Sequence, residues 1–145
     1  MRELIKWLSI ADRFTRLSLD KNLANLNINN SQYFYILKIC ENPGITQDKL
    51  QSFIHVNPSN ITRALNQLEK TGFLLRFPNE QDKRTFHLFP TEQAKKAYSA
   101  ILEAIQQSCE SLTYGFTEQE KQQFLFLLKK SASNILALEN AKRFP

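Results

Sequence analysis

Ser59, Asn60, Thr62, Arg63 and Asn66, with Gln67 beside them, set hydroxyls, amides and one guanidinium at helical spacing. A helix there turns Ile61, Leu65 and Leu68 inward and these polar groups outward. Their chemistry is recognition, not turnover. They donate and accept hydrogen bonds, and they match the donor and acceptor edges that bases present in the major groove. Only Arg63 is charged, which favours readout over mere attraction. Any solvated helix also shows a polar outer face, so the reading rests on the surroundings. Pro58 opens the same helix, and the candidate major-groove set is Pro58, Ser59, Asn60, Thr62, Arg63 and Asn66.

A second group lies downstream, where Asp82, Lys83 and Arg84 occupy a turn between two strand-like runs. An arginine at the tip of such a ribbon can enter a narrow minor groove, where the negative potential is deepest. Asp82 can orient that guanidinium by a charge-assisted hydrogen bond. Thr46 and Gln47, at the start of the preceding short helix, are the candidate contacts to the DNA backbone.

Other chemistries find little support. No serine, cysteine or lysine sits in a recognisable nucleophile setting, so no catalytic residue and no enzyme activity are expected. His55 and His87 are the only histidines, and Cys40 and Cys109 lie far apart. That pattern suggests neither a metal site nor a disulfide framework, and no cofactor is expected. His87 reads as a wing residue facing solvent or phosphate, and Cys40 as a small core residue. Three glycines argue against glycine-rich phosphate loops. The net charge is +5, and residues 1–45, 46–91 and 92–145 carry +2, +2 and +1 of it. This permits an anionic partner without marking a face. Asp12 and Arg13 interrupt the N-terminal apolar stretch, which therefore does not read as a signal peptide. No run is long enough for a membrane helix, and a reduced cytoplasm fits the cysteine usage.

The elements that position these residues follow from caps and periodicity. Leu4, Trp7, Leu8, Ala11, Phe14 and Leu17 form one apolar face of a first helix that ends near Leu26. Asn29 or Asn30 caps a second helix, Ser31 to Glu41, apolar nearly all round. Thr46 caps a short helix to His55. Asn57 caps the next, with Pro58 at its first position, and that helix ends at Thr71 before Gly72. Phe73–Phe77 and Thr85–Phe89 read as two strands. Thr91-Glu92 opens a long helix broken at Tyr114-Gly115. Thr117 through Glu120 is a capping box for a last helix over 118–141. A short helix, a turn, a second helix and a two-stranded ribbon, over 46–91, make a winged helix-turn-helix.

At this point the chain resembles a known family. Asn57-Pro58-Ser59-Asn60-Ile61-Thr62-Arg63 through Leu68-Glu69-Lys70-Thr71-Gly72-Phe73 is similar to the recognition helix of the multiple-antibiotic-resistance regulator (MarR) family. Asp82-Lys83-Arg84 matches that family's wing motif. Ile28-Asn29 with Gln32, and Thr91-Glu92, fit the flanking positions. Pro90 departs from the usual aliphatic residue, and Ala94 from the common glycine.

The resemblance implies an obligate homodimer with interlocking terminal helices. It implies major-groove roles for Ser59, Thr62 and Arg63, and a minor-groove role for Arg84. It also implies a pocket for a small aromatic effector, for which Trp7, Tyr33 and Tyr35 are the candidate residues. Some relatives sense oxidants through a cysteine in the first helix, but this chain has none there. Some relatives bind zinc, for which no ligand set is evident.

The expected fold is mainly α with a two- to three-stranded β-wing. The chain reads as a single domain, 1–145, with a winged lobe over 28–91 and helical dimerisation regions over 1–27 and 92–145. The expected function is a sequence-specific DNA-binding transcriptional regulator, a repressor by preference. It acts on double-stranded DNA as a homodimer at a pseudo-palindromic operator, released by a small molecule. The rivals are action through protein–protein contact and a thiol sensor at Cys40 or Cys109.

Overall fold

The computed structural model describes residues 1–143, with side chains through residue 141. The elements run α1 (Arg2–Leu23), a 3₁₀ turn (Ala24–Leu26), α2 (Tyr33–Glu41), β1 (Ile45–Thr46) and α3 (Gln47–Ile54). They continue through α4 (Pro58–Lys70), β2 (Leu74–Pro78), β3 (Phe86–Pro90), α5 (Glu92–Leu112) and α6 (Glu118–Arg143). The architecture is mainly helical with one three-stranded antiparallel sheet, ordered β1-β3-β2. The chain divides into two compact units, Met1–Cys109 and Glu110–Pro145.

The core of the first unit is built from the predicted stripes. Ile61, Leu65 and Leu68 of α4 are fully buried, as are Leu50 of α3, Leu88 of β3 and Ile101 of α5. Ile36 and Ile39 bring α2 into the same cluster. Helix α2 is central because its apolar residues occupy more than one face. The α1 helix joins the core only at Leu19 and Leu23. Further toward its N-terminus, Leu4, Ile5, Trp7, Leu8, Phe14 and Leu17 are each more than half exposed.

Local signals set most boundaries. Thr46 accepts from the Lys49 amide, and Asn57 accepts from the Ser59 amide, as N-caps do. Gly72 ends α4 at φ +87°, in the left-handed region that suits a residue without Cβ. In the second unit, Glu120 accepts from the Thr117 amide and hydroxyl, while Thr117 accepts from the Glu120 amide. That is the reciprocal capping box, and it opens α6.

The start of α2 differs from the expectation. Neither Asn29 nor Asn30 is its N-cap, since the helix begins at Tyr33 after Gln32. Asn29 instead folds a turn, accepting from the Ser31 amide and hydroxyl at 2.9 and 2.6 Å. Asn30 donates from its amide and side chain to Asp20 of α1. An asparagine can hold a turn as readily as a helix end, and Asp20 supplied the distant partner.

The wing hairpin pairs Leu74 with Pro90, Arg76 with Leu88 and Pro78 with Phe86. Strand β1 adds Ile45 against Leu88 and Thr46 against His87. Pro90 is tolerated although β3 is the central strand. Thr91 donates to Phe73, and Leu88 accepts from Gly44, so alternate residues face opposite neighbours. The missing Pro90 amide therefore falls on the β1 side, beyond the end of that two-residue strand. Ala94 is buried beneath the wing exit. Thr91 closes that exit by donating to the Gly72 carbonyl and accepting from the Ala94 amide.

Candidate nucleic-acid interface

The surface of interest is the N-terminal half of α4 with the neighbouring turn of the wing. Ser59, Asn60, Thr62, Arg63 and Asn66 are all exposed, over a buried Ile61–Leu65–Leu68 face. The Asn57 cap fixes where α4 begins, and Pro58 pre-sets its first turn. Arg63 makes no ion pair or hydrogen bond with any described residue, so its guanidinium is available to an anionic or base-edge acceptor.

Two of the predicted residues are joined across the helix pair. The Gln47 side-chain amide donates to the Thr62 hydroxyl at 2.8 Å, and that hydroxyl donates to the Pro58 carbonyl at 3.1 Å. This relay locks α3 to α4. The Ser59 hydroxyl also donates inward, to Asn57 at 2.9 Å, and keeps its lone pairs for an outside donor. Thr46, whose hydroxyl caps α3, lies at the sheet edge.

In the wing, Asp82 accepts from the Arg84 amide at 3.1 Å and from its guanidinium Nε at 3.3 Å. The Arg84 side chain is 92 % exposed. The turn thus presents a single, locally aimed guanidinium, and Lys83 beside it is exposed. Thr85 closes the turn through its amide and hydroxyl on the Asp82 carbonyl.

His87, expected to face solvent or phosphate, is turned in part toward the sheet. It is half-buried, and its Nδ1 lies 2.8 Å from the Gly44 carbonyl. The cause is β1, whose pairing with β3 brings Gly44 over the ring. Arg76 is a further residue that sequence reasoning passed over. Its side chain is 16 % exposed, donates to Asn66 at 2.8 Å, and places its Nε 3.6 Å from Glu69. It therefore ties the wing strand to α4, and it engages one of the candidate base readers. Strand alternation was the available signal, because Arg76 shares a face with buried Leu74.

An open cleft of about 830 Å³ lies between α1, the segment before α2, and α4. Arg16, Tyr33, Phe34, Tyr35, Asn60 and Arg63 are among its lining residues. Tyr33 and Tyr35 of the expected pocket are therefore here, whereas Trp7 lies outside it, exposed on α1 and donating to Glu3. Burial raises both tyrosine pKa values, Tyr33 further through Cys109 and against a lowering by Arg16. Both phenols stay protonated near neutral pH and can donate. Arg16 is held by Asp12 at 2.9 Å, leaving Arg63 as the uncommitted cation of the cleft.

The thiol at Cys40 is raised in pKa by burial and then by Glu41, with Lys95 opposing. That environment disfavours the reactive thiolate. Among the described residues no cluster of three or more His, Cys, Asp or Glu could hold a metal ion. No helix among them is long and apolar enough to cross a membrane.

A family model described as the MarR family matches residues 28–86. The uncharacterized HTH-type transcriptional regulator YybA of Bacillus subtilis is 40% identical over 111 residues, covering 77% of this chain and 74% of that one. A second B. subtilis protein, the uncharacterized HTH-type transcriptional regulator YwhA, is 30% identical, covering 79% and 82%. Among solved structures, a MarR-family regulator from Listeria monocytogenes in complex with a 26-mer DNA superposes with a TM-score of 0.83. It is 30% identical and covers 93% of this chain and 90% of its own. A mutant MarR from E. coli bound to operator DNA gives 0.81, at 25% identity over 88% and 92%. With its winged helix-turn-helix, its capped α4 and these relatives, the chain belongs to the MarR family of transcriptional regulators.

Proposed function

We propose that this protein is a homodimeric repressor that binds a pseudo-palindromic operator and is released by a small aromatic acid. The observation that carries the reading is the paired presentation of α4 and the wing tip. Ser59, Asn60, Thr62 and Arg63 stand exposed on a rigidly capped helix, and Arg84 projects from the neighbouring turn. The helix suits the major groove and the arginine the minor groove. That relatives from L. monocytogenes and E. coli were solved in complex with DNA supports DNA as the partner.

Dimerisation is supported by apolar side chains without a cover. On α1 these run from Leu4 to Leu17, and on α6 they include Leu125, Phe126, Leu127, Leu128, Ile135 and Leu138. Apolar surface of that extent on terminal helices marks an interface. The lobe 28–91 would read DNA, while 1–27 and 92–145 would join two copies in the cytoplasm, where the operator lies. The recognition helices should then fall about one helical turn apart, roughly 10 bp centre to centre.

The cleft supports the effector. Its aromatic walls and neutral tyrosine hydroxyls suit an aromatic acid, and Arg63 supplies the counter-charge. A ligand there favours whichever arrangement binds it better, and so shifts the population away from DNA.

Selection from a random duplex library at about 0.1–0.15 M salt tests the reading, since screening at that ionic strength suppresses nonspecific phosphate binding. An enriched inverted repeat is expected. No enrichment from a folded dimer would move the function to protein–protein sequestration. Arg63→Ala should then weaken the selected site by about 1–3 kcal/mol and relax its sequence preference. Equal loss on specific and random duplex would reduce Arg63 to a phosphate contact.

A further inference from the structure

We propose that Thr62 reads DNA through its methyl group, as a thymine sensor, and that Gln47 enforces this by occupying the hydroxyl. The inference rests on the proposed entry of α4 into the major groove. Threonine offers an incoming base either a hydroxyl or a methyl, and the two select different partners. In this protein the relay decides between them. The Pro58 carbonyl can only accept, so the Thr62 hydroxyl donates its single proton there. The oxygen is then left to accept, and the Gln47 amide fills that role at 2.8 Å. The order of the relay is fixed by its end, without any choice of rotor. Thr62 is nonetheless exposed. What it offers beyond the relay is its methyl and a single oxygen lone pair, with no proton left to donate.

A methyl on the outer face of α4 complements the one apolar group on the major-groove edge of a base pair, the C5-methyl of thymine. The two flanking exposed residues, Ser59 and Arg63, keep hydrogen-bonding capacity and can take neighbouring positions. Gln47 thereby acts as a positioning residue on specificity, in addition to any contact with the backbone.

The experiment replaces thymine by uracil, one position at a time, in the half-sites of the selected duplex. This removes a methyl and leaves every base-pair hydrogen bond in place. At one position per half-site, uracil should weaken the wild-type protein about fourfold, the worth of one buried methyl. Thr62→Ser, which keeps the relay and loses the methyl, should bind thymine and uracil duplexes equally. Thr62→Val, which keeps the methyl and loses the relay, should retain the thymine preference. Uniform indifference to uracil, in a protein that still selects a sequence, overturns the methyl assignment alone. So does a Thr62→Val protein that loses the preference while Thr62→Ser keeps it. Failure to select any sequence overturns both this assignment and the reading of α4 as a recognition helix.

Discussion

Arg76 offers a test of how the wing is held to α4. Its guanidinium donates one hydrogen bond to Asn66 at 2.8 Å and sits 3.6 Å from the Glu69 carboxylate. Its Nε is buried without a hydrogen-bond partner. Replacement by methionine keeps an unbranched stem and removes the charge. The lost hydrogen bond to a charged group is worth about 1.5–3 kcal/mol. Against that, the variant no longer buries an unpartnered N–H, which costs about 1–3 kcal/mol. Asn66 is exposed and Glu69 is 46 % exposed, so water replaces the arginine for both. The two effects offset, and because water can solvate the exposed Glu69 left behind, Arg76→Met should stay within about 1 kcal/mol of the parent. Arg76→Ala also strips the stem from between β2 and α4. At about 0.8 kcal/mol per buried methylene it should fall a further 1–2 kcal/mol. Urea unfolding at one fixed protein concentration measures both. A methionine variant as damaged as the alanine variant would refute the reasoning, because the tie would then be electrostatic and not a matter of packing.

Two further expectations concern boundaries. Gly72→Ala places a Cβ at φ +87°, and the added atom would meet the Gln93 side-chain oxygen at 2.8 Å. That oxygen ends a flexible side chain and can move, so the cost is the backbone's, about 1–3 kcal/mol. Thermal unfolding should show it, and Gln93→Ala should not rescue it. In the capping box, the Thr117 amide and then its hydroxyl hold the Glu120 carboxyl below the ordinary glutamate value. A lowered folded-state pKa means the cap contributes above the ordinary value and is lost as pH falls through the lowered one. Carbon-detected titration should find Glu120 depressed, and Thr117→Ala should return it toward normal. An unchanged titration would remove the box from the account of α6.

Much of the architecture was legible because its causes are local. Asn57-Pro58, Thr46, and Thr117 with Glu120 cap helices through partners two or three residues away. The Ile61–Leu65–Leu68 stripe needs only the helical period, and Gly72 only its own backbone angle. The candidate interface could be read for the same reason. Its polar residues share one helix face, and Asp82 aims Arg84 across two positions.

The rest depended on partners far away in sequence. Strand β1 has two residues, too few for an alternation signal, and exists because β3 lies beside it. That pairing set the His87 Nδ1 against the Gly44 carbonyl. Asp20 turned Asn30 into a tie between helices, and Arg76 reached back to Asn66 across the turn from α4. Trp7 and the two tyrosines look alike as aromatic residues, yet only the tyrosines line the cleft. The sequence by itself determined which side chains face outward on α4, since a helical period settles that within four residues. Only the tertiary structure decided which of their atoms remain available. A hydroxyl such as that of Thr62 is committed by whatever packing brings near it, here an amide fifteen residues earlier in the chain.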